Sequence, residues 1–183
     1  MSNTKLIEAT RSWVSQVVVG FNFCPFAKRE VERQSIRYTV SEQDTISAAV
    51  QDVLDEIYLL DQNPDIETAL VILKNHFNDF EAFLDLVDIA NSLIDQSGYR
   101  GVYQLATFHP DYQFEGAEQN CPGNYTNRSP YPTLHLIRES SLERVLKVHP
   151  SPENIPITNQ KKAEELGLDF LQNLLVTLRN QGN

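Results

Sequence analysis

Apolar residues recur at helical spacing in several long stretches of the chain. In the first stretch, Leu6, Trp13 and Val17 belong to one apolar stripe, and Gly20 is a residue type that commonly ends a helix. Polar residues suited to capping an amino terminus precede the later helices. The predicted helices cover about 4–19, 41–60, 79–96, 141–147 and 158–179. Their predicted caps are Ser41 with Asp44, Asn78 with Glu81, Ser140 with Glu143, and Thr158.

Shorter runs between these helices have the composition of β-strands. "SIRYTVS" alternates and is rich in β-branched residues, whereas "ETALVILK" is a continuous apolar run that is typical of a buried central strand. "TLHLIRE" follows a long loop with no intervening helix, so this last strand is expected to be antiparallel. The predicted strands cover about 36–40, 67–74, 101–108 and 133–138.

The order of these elements predicts the fold class. Strands separated by helices favour parallel neighbours joined by right-handed crossovers. We therefore expect an α/β (or α+β) protein with a small mixed, mostly parallel sheet of about four strands packed with helices. A chain of 183 residues, with no internal repeat and no linker, is expected to form one globular domain over 1–183.

Composition narrows the range of partners. Lys and Arg number 15 against 25 Asp and Glu, a net charge of −10, and this acidic balance argues against binding DNA or RNA. No apolar run approaches the roughly 18 residues of a membrane-spanning helix. The amino terminus lacks the basic and apolar regions of a secretory signal. We expect a cytoplasmic protein with no nucleic-acid or membrane partner; the composition indicates neither a cofactor nor an oligomeric state.

The stretch 109–131 between the last two strands is irregular, aromatic and rich in chemically useful side chains. Loops longer than about 15 residues without regular structure are usually functional or disordered, and the aromatic residues argue against disorder. His109 follows a strand expected near the centre of the sheet, where ligands collect at carboxyl ends. His109 is therefore a candidate general acid or base, with Asp111 to orient it and Tyr112 as a nearby phenol donor. The alternative is that His109 and Asp111 only hold a proline turn.

Cys24 lies in the aromatic turn "FNFCPF", at 21–26. It would be a nucleophile if His109 or His135 held it as a thiolate, whereas the neighbouring phenylalanines favour an inert buried thiol. Cys121 is distant in sequence, so we expect both thiols to be free in a reducing cytosol. A zinc or iron site of Cys24, His109 and Cys121 is an alternative that their spacing does not support.

Residues at the end of the loop are candidates for binding a substrate. Arg128, beside Asn127 and Ser129, has the fork geometry that grips a carboxylate or phosphate, although a structural arginine that binds loop carbonyls is as common. His135 alternates with leucines, so it points to the opposite face of its strand, toward a pocket on that side. Tyr112 completes this predicted substrate-binding set.

Three segments together resemble a known family. "GFNFCPFA", "ATFHPDYQFEG" and "NRSPYPTLHLIRE" are similar to an uncharacterised bacterial family catalogued as domain of unknown function 1415, and the likeness covers nearly the whole chain. The resemblance implies a free-standing cytoplasmic protein with a single domain. It implies no activity and assigns no catalytic residue.

These observations lead to a hypothesis and two alternatives. The hypothesis is an enzyme that acts on a small anionic metabolite in a pocket built from the 21–26 turn and the 109–131 loop. Cys24, His109 and Asp111 would be catalytic, and Arg128 would hold the anion. Replacing His109 with alanine is then expected to abolish turnover without unfolding. The alternatives are the metal-binding protein described above and a non-catalytic module that binds a protein partner through the aromatic loop.

Overall fold

Seven α-helices and four strands make up the computed structural model, which describes residues 1–181. The helices are α1 (Asn3–Trp13), α2 (Ala27–Arg33), α3 (Ile46–Gln62), α4 (Phe80–Gln96), α5 (Glu139–Leu146), α6 (Ile155–Leu166) and α7 (Leu168–Gln181). The strands are β1 (Ile36–Ser41), β2 (Thr68–Leu73), β3 (Tyr103–Phe108) and β4 (Thr133–Arg138). None of the helices in the described part is long and apolar enough to span a membrane.

The four strands form one mixed sheet in the order β1-β2-β4-β3. β1 and β2 are parallel, and β4 runs antiparallel to both of its neighbours, so three strands share one direction. This confirms the predicted α/β or α+β class, the mixed four-stranded sheet and the antiparallel last strand, although only one of the three neighbouring pairs is parallel, fewer than expected. The prediction that β3 lies near the centre is wrong, because β4 inserts between β2 and β3 and leaves β3 at the edge.

Both faces of the sheet are covered by helices. Since side chains alternate along a strand, Val71 and Leu134 face the core formed with α3 and α4, while Leu70 and Ile72 face the other way. On that second face the sheet meets α1, α6, α7 and the aromatic turn. Coverage on both sides explains why every residue of β2 is buried, as the continuous apolar run predicted.

The first helix changes its winding before it ends. After α1, residues Val14–Val19 form a π-helical segment, and the Gly20 N–H donates to Ser15 O at 3.1 Å. A side chain at Gly20 would not fit, because an added Cβ would lie 2.2 Å from the backbone oxygen of Gln16. The helix therefore ends at Gly20, as predicted, and this position requires glycine because a Cβ would clash with the backbone. Its φ of −60° is available to any residue.

The caps differ from those predicted from the sequence. β1 extends through Ser41, so α3 begins later, with the Thr45 hydroxyl accepting from the Ala48 N–H at 3.3 Å. Asp79 caps α4 through the Ala82 N–H at 3.0 Å. The predicted pairs, Ser41 with Asp44 and Asn78 with Glu81, are therefore wrong by one to four residues.

The carboxyl-terminal part contains two helices where one was predicted. Gly167, with φ of +83°, separates α6 from α7 in a left-handed region that glycine adopts readily. Thr158 lies inside α6 and therefore does not cap a helix. Ser140 likewise lies inside α5, which begins at Glu139.

Candidate functional site

A cavity of about 310 Å³ lies against the second face of the sheet. Its lining is mostly apolar, with a few polar side chains from distant parts of the chain. The floor is formed by Ile36, Thr68, Leu70, Ala106, Phe108, His135 and Ile137. The walls include Trp13, Val14, Val18, Phe23, Cys24, Phe26, Thr126, Asn127, Leu142 and Val145. The cavity thus lies over a face of the sheet, whereas the sequence predicted a crevice beyond the carboxyl ends of the strands.

The 21–26 turn forms one wall because hydrogen bonds hold it against its neighbours. The Cys24 N–H donates to Val18 O at 3.4 Å, and the side-chain amide of Asn159, on α6, donates to Phe23 O at 2.6 Å. Phe23 is buried beneath these contacts. The turn and residues Thr126 and Asn127 of the 109–131 loop therefore both border the cavity.

His135 is the polar centre of the cavity floor. Its Nε2 lies 2.7 Å from the hydroxyl of Thr68, and that hydroxyl donates to the backbone oxygen of Leu136. Because the hydroxyl's one proton is used there, Nε2 carries the proton of the imidazole and Nδ1 is an acceptor. Burial lowers the pKa of His135 to about 4, so the ring is neutral at pH 7. His135 thus lies on the side of β4 that meets the cavity, which is the side that its alternation with leucines predicts.

This depressed pKa makes stability depend on pH. The unfolded chain binds a proton at His135 near pH 6.5, whereas the folded protein resists protonation down to about pH 4. His135 thus contributes stability that is fully present above pH 6.5 and lost as pH falls toward 4, up to about 3 kcal/mol. We expect His135→Gln to flatten the free energy of unfolding across this range in denaturant titrations. Equal slopes for the two proteins would contradict the assignment.

Cys24 contributes a neutral thiol to the cavity wall. Burial raises the pKa of this thiol, and this effect outweighs that of the nearby backbone N–H groups of Phe26 and Ala27, which lower the pKa. The thiolate needed for attack is therefore scarce at pH 7. Of its two predicted histidine partners, His135 also lines the cavity and His109 does not. A nucleophilic Cys24 stays a prediction.

Two carboxylates at the cavity differ in their partners. Glu30 accepts from the Ser35 hydroxyl at 2.6 Å and lies 3.7 Å from both Arg29 and Arg33. Glu67 has a buried Oε1 with no hydrogen-bond partner among residues 1–181. No lysine or arginine of the described chain lines the cavity. The charged side chains on the lining are therefore two carboxylates, of which Glu30 is paired with arginines outside the cavity.

His109 occupies a buried structural position outside this cavity. It is 0% exposed and lies with its ring centroid 5.2 Å from Phe80 and 5.1 Å from Phe83. Nδ1 accepts from the Asp111 N–H and Nε2 lies 3.0 Å from Phe77 O, so both ring nitrogens are engaged. Burial lowers the pKa of His109. These contacts favour the alternative in which the histidine holds a proline turn.

Arg128, which was expected to hold an anion, is bonded to the loop itself. The Arg128 guanidinium donates to Tyr112 O at 3.0 Å and Gln119 O at 2.9 Å, and it stacks 4.6 Å from the Tyr125 ring centroid. Ser129 donates to Tyr131 O at 2.6 Å. Arg128 and Ser129 therefore tie the loop to itself, which is the structural alternative considered for the arginine.

The remaining predicted site residues are spread over the molecule. Asp111 is exposed, and Tyr112 packs its ring against Phe80 and Phe114. Asn127 lines the cavity and donates to Thr107 O at 3.3 Å. The structure thus brings Cys24, Asn127 and His135 together, and places the other predicted residues elsewhere.

The predicted metal ligands do not converge. Cys24 and Cys121 are free thiols, and His109 has both nitrogens bound within its own turn and to Phe77. Within residues 1–181, no three His, Cys, Asp or Glu side chains are placed to hold a metal ion together. The alternative based on Cys24, His109 and Cys121 therefore lacks the necessary geometry.

Sequence reasoning missed several residues of the cavity. The sequence pattern places Trp13 only in an apolar stripe, yet Trp13 lines the cavity, and its indole N–H has no partner in the described residues. The sequence pattern places Glu67 and Thr68 only at the start of a buried strand. Thr68 is a polar residue directly before the apolar run, and it pairs across the sheet with Ile137, two residues from His135. A polar residue on the same face as His135 is the available signal.

Comparison with known proteins gives a family and no activity. The chain belongs to the family described as "Protein of unknown function (DUF1415)", whose model matches residues 5–173. This confirms the family resemblance found in the three segments. No curated protein and no solved structure matches the chain significantly. Its function therefore has to be argued from the cavity.

Proposed function

We propose that this protein binds one small, largely apolar molecule in the cavity on the second face of its sheet. The observation that carries the proposal is the cavity itself, with a volume of about 310 Å³ and a lining rich in aromatic and aliphatic side chains. Ligand pockets of proteins are concave, mostly apolar and about 300–1,000 Å³ in volume, with few polar groups. His135, Thr68 and Cys24 are the polar groups that would orient the molecule.

The charges around the cavity argue against the anionic metabolite expected from the sequence. That expectation depended on Arg128, which does not line the cavity and whose guanidinium is held by Tyr112 O and Gln119 O. The cavity itself has Glu30 and Glu67 on its lining and no arginine or lysine among the described residues. An anion would be held there without a compensating cation, which is unfavourable. The proposal therefore concerns a neutral or cationic molecule.

Ala106→Leu is expected to weaken binding of a neutral apolar fluorophore, N-phenyl-1-naphthylamine, at least about ten-fold. Ala106 pairs with His135 across the sheet, so both side chains lie on the cavity face, and a leucine there would occupy the space of the ligand. The free energy of unfolding should stay within about 1.5 kcal/mol, because the cavity provides room for the added atoms. Fluorescence titration and denaturant unfolding measure the two quantities.

Two controls make the test specific to this cavity. Ala48→Leu makes the same change on α3, away from the cavity lining, and should leave binding unchanged. In a Cys121→Ser background, Cys24 is the one thiol left, so its rate of alkylation should fall when the fluorophore is bound. Failure of the wild-type protein to bind the fluorophore, with Cys24 unprotected, would refute the proposed function.

A further inference from the structure

One ring nitrogen on the cavity floor lacks a partner and is open to contact. Nε2 of His135 donates to the Thr68 hydroxyl, which leaves Nδ1 as an acceptor. Nδ1 forms no hydrogen bond within residues 1–181. In that part of the chain, the unpartnered polar side-chain atoms that are fully shielded are Trp13 Nε1 and Glu67 Oε1. Nδ1 of His135 is not among them, so it is accessible.

The accessible surface of His135 belongs to the cavity. β4 lies between β2 and β3, so the ring is not at an edge of the sheet. The opposite face of β4 carries Leu134 and Leu136, which are buried in the core beneath α3 and α4. His135 is half-buried and lines the cavity, with its ring centroid 6.1 Å from that of Phe108, another lining residue. A molecule in the cavity therefore has access to Nδ1.

Neighbouring donors are already used by the protein. The Thr68 hydroxyl donates to Leu136 O, so Thr68 fixes the tautomer of His135 and has no proton left for the ring. Thr126 and Asn127, on the same cavity lining, donate to backbone oxygens of the loop and of β3. The floor thus presents a neutral acceptor in a fixed orientation, and a bound molecule can supply the donor.

We infer that the molecule bound in this cavity carries a neutral hydroxyl group, which donates a hydrogen bond to Nδ1 of His135 while its apolar part fills the remaining space. The inference rests on the proposed function and specifies the ligand class. A hydroxyl has one proton to donate, whereas an ammonium would bring further N–H groups and a charge into a mostly apolar lining. A hydrogen bond in such surroundings is stronger than one in water.

A matched set of three probes tests the inference. 4-Ethylphenol has the donor, 4-ethylanisole keeps the oxygen without the donor, and 4-ethyltoluene has the shape of the phenol without a polar atom. Each is titrated at pH 7 against wild-type protein that holds N-phenyl-1-naphthylamine, and loss of fluorescence gives its dissociation constant. We expect the phenol to bind about ten-fold more tightly than either of the other two.

Two variants identify the acceptor. His135→Phe keeps an aromatic ring and removes the acceptor, and the Thr68 hydroxyl keeps Leu136 O as its partner. The preference for the phenol over the ether should fall to about one-fold. Ser141→Ala removes the hydroxyl of another lining residue, which already accepts from the Arg144 guanidinium at 2.7 Å. This control should keep the preference.

Nitrogen NMR of protein containing isotope-labelled histidine observes the acceptor directly. The resonance of the unprotonated ring nitrogen of His135 should move when 4-ethylphenol binds, toward the position of a hydrogen-bonded nitrogen. 4-Ethylanisole should not move it in this direction, because the ether has no proton to donate. The measurement uses the wild-type protein, so it decides even if His135→Phe disturbs folding.

Each outcome has a separate meaning. A phenol preference that His135→Phe removes and Ser141→Ala retains, with the nitrogen resonance moved, supports the inference. If the fluorophore binds but the ether or 4-ethyltoluene matches the phenol, the inference fails and the proposed function stands. A preference that survives His135→Phe, or a nitrogen resonance that the phenol leaves unchanged, also overturns the role of His135. If the fluorophore itself does not bind the wild-type protein, the proposed function fails and the inference fails with it.

Discussion

Replacing His109 with alanine is expected to lower the free energy of unfolding by about 4 kcal/mol. The ring is 0% exposed, packs against Phe80 and Phe83, and satisfies the Asp111 N–H and Phe77 O. Alanine would leave a cavity and two polar backbone groups without their partner, and each change is destabilising. Urea denaturation followed by circular dichroism measures the loss. This result is the opposite of the one expected if the residue were catalytic.

A second histidine provides the control. His149 lies at a surface turn, where its Nδ1 accepts from the Ser151 N–H at 3.3 Å and its ring lies 6.1 Å from the Phe26 ring. His149→Ala should change stability by less than about 1 kcal/mol. If His109→Ala kept the stability of the wild-type protein, the structural role of His109 would be refuted.

The sequence predicted the elements well because their signals are local. The apolar run of β2 and the alternation of β4 reflect which faces are buried, and both strands were located within about one residue. Alternation also gave the direction of His135. The caps were less predictable. Ser41 is as suitable a cap residue as Thr45, but Ser41 is the last residue of β1, so Thr45 caps α3 instead.

Sheet order could not be read from the same signals, and the predicted site depended on it. With β3 expected at the centre, His109 would have stood over a crevice at the carboxyl ends of the strands. Placing β4 between β2 and β3 moves His109 to the edge, beneath α4. The partners of Arg128 are equally non-local, because an arginine that binds loop carbonyls and one that binds an anion look the same in a sequence.

The irregular 109–131 loop is ordered by its own polar side chains, which explains its composition. His109, Asn124 and Arg128 are each buried, and each bonds to backbone groups of the loop. Buried backbone groups outside helices and sheets need such partners. The loop thereby holds Thr126 and Asn127 at the cavity wall. A change that disorders the loop is therefore expected to alter the cavity wall at Thr126 and Asn127 as well.

Asn124→Asp is expected to destabilise the protein by about 2 kcal/mol at pH 7, although the two side chains have nearly the same shape. Asn124 is 0% exposed; its Oδ1 accepts from the Phe114 N–H, and its Nδ2 donates to Glu118 O and Gln119 O. An aspartate would point a charged oxygen at two carbonyl oxygens, and the Arg128 guanidinium, which donates to the same Gln119 O at 2.9 Å, would offset only part of this repulsion. Denaturant titration gives the change, and Asn120→Asp, at an exposed position of the same loop, should change stability by less than about 0.5 kcal/mol.

The pH dependence of this variant distinguishes buried charge from lost shape. Burial against two carbonyls would raise the pKa of the new carboxyl in the folded state above its unfolded value near 4. Folding then favours the protonated acid, whose O–H can donate one of the two lost hydrogen bonds. The destabilisation relative to wild type should be smallest below pH 4 and should grow as pH rises toward the folded pKa. A loss that did not change with pH would assign the effect of Asn124 to packing and remove the hydrogen-bond explanation for the order of the loop.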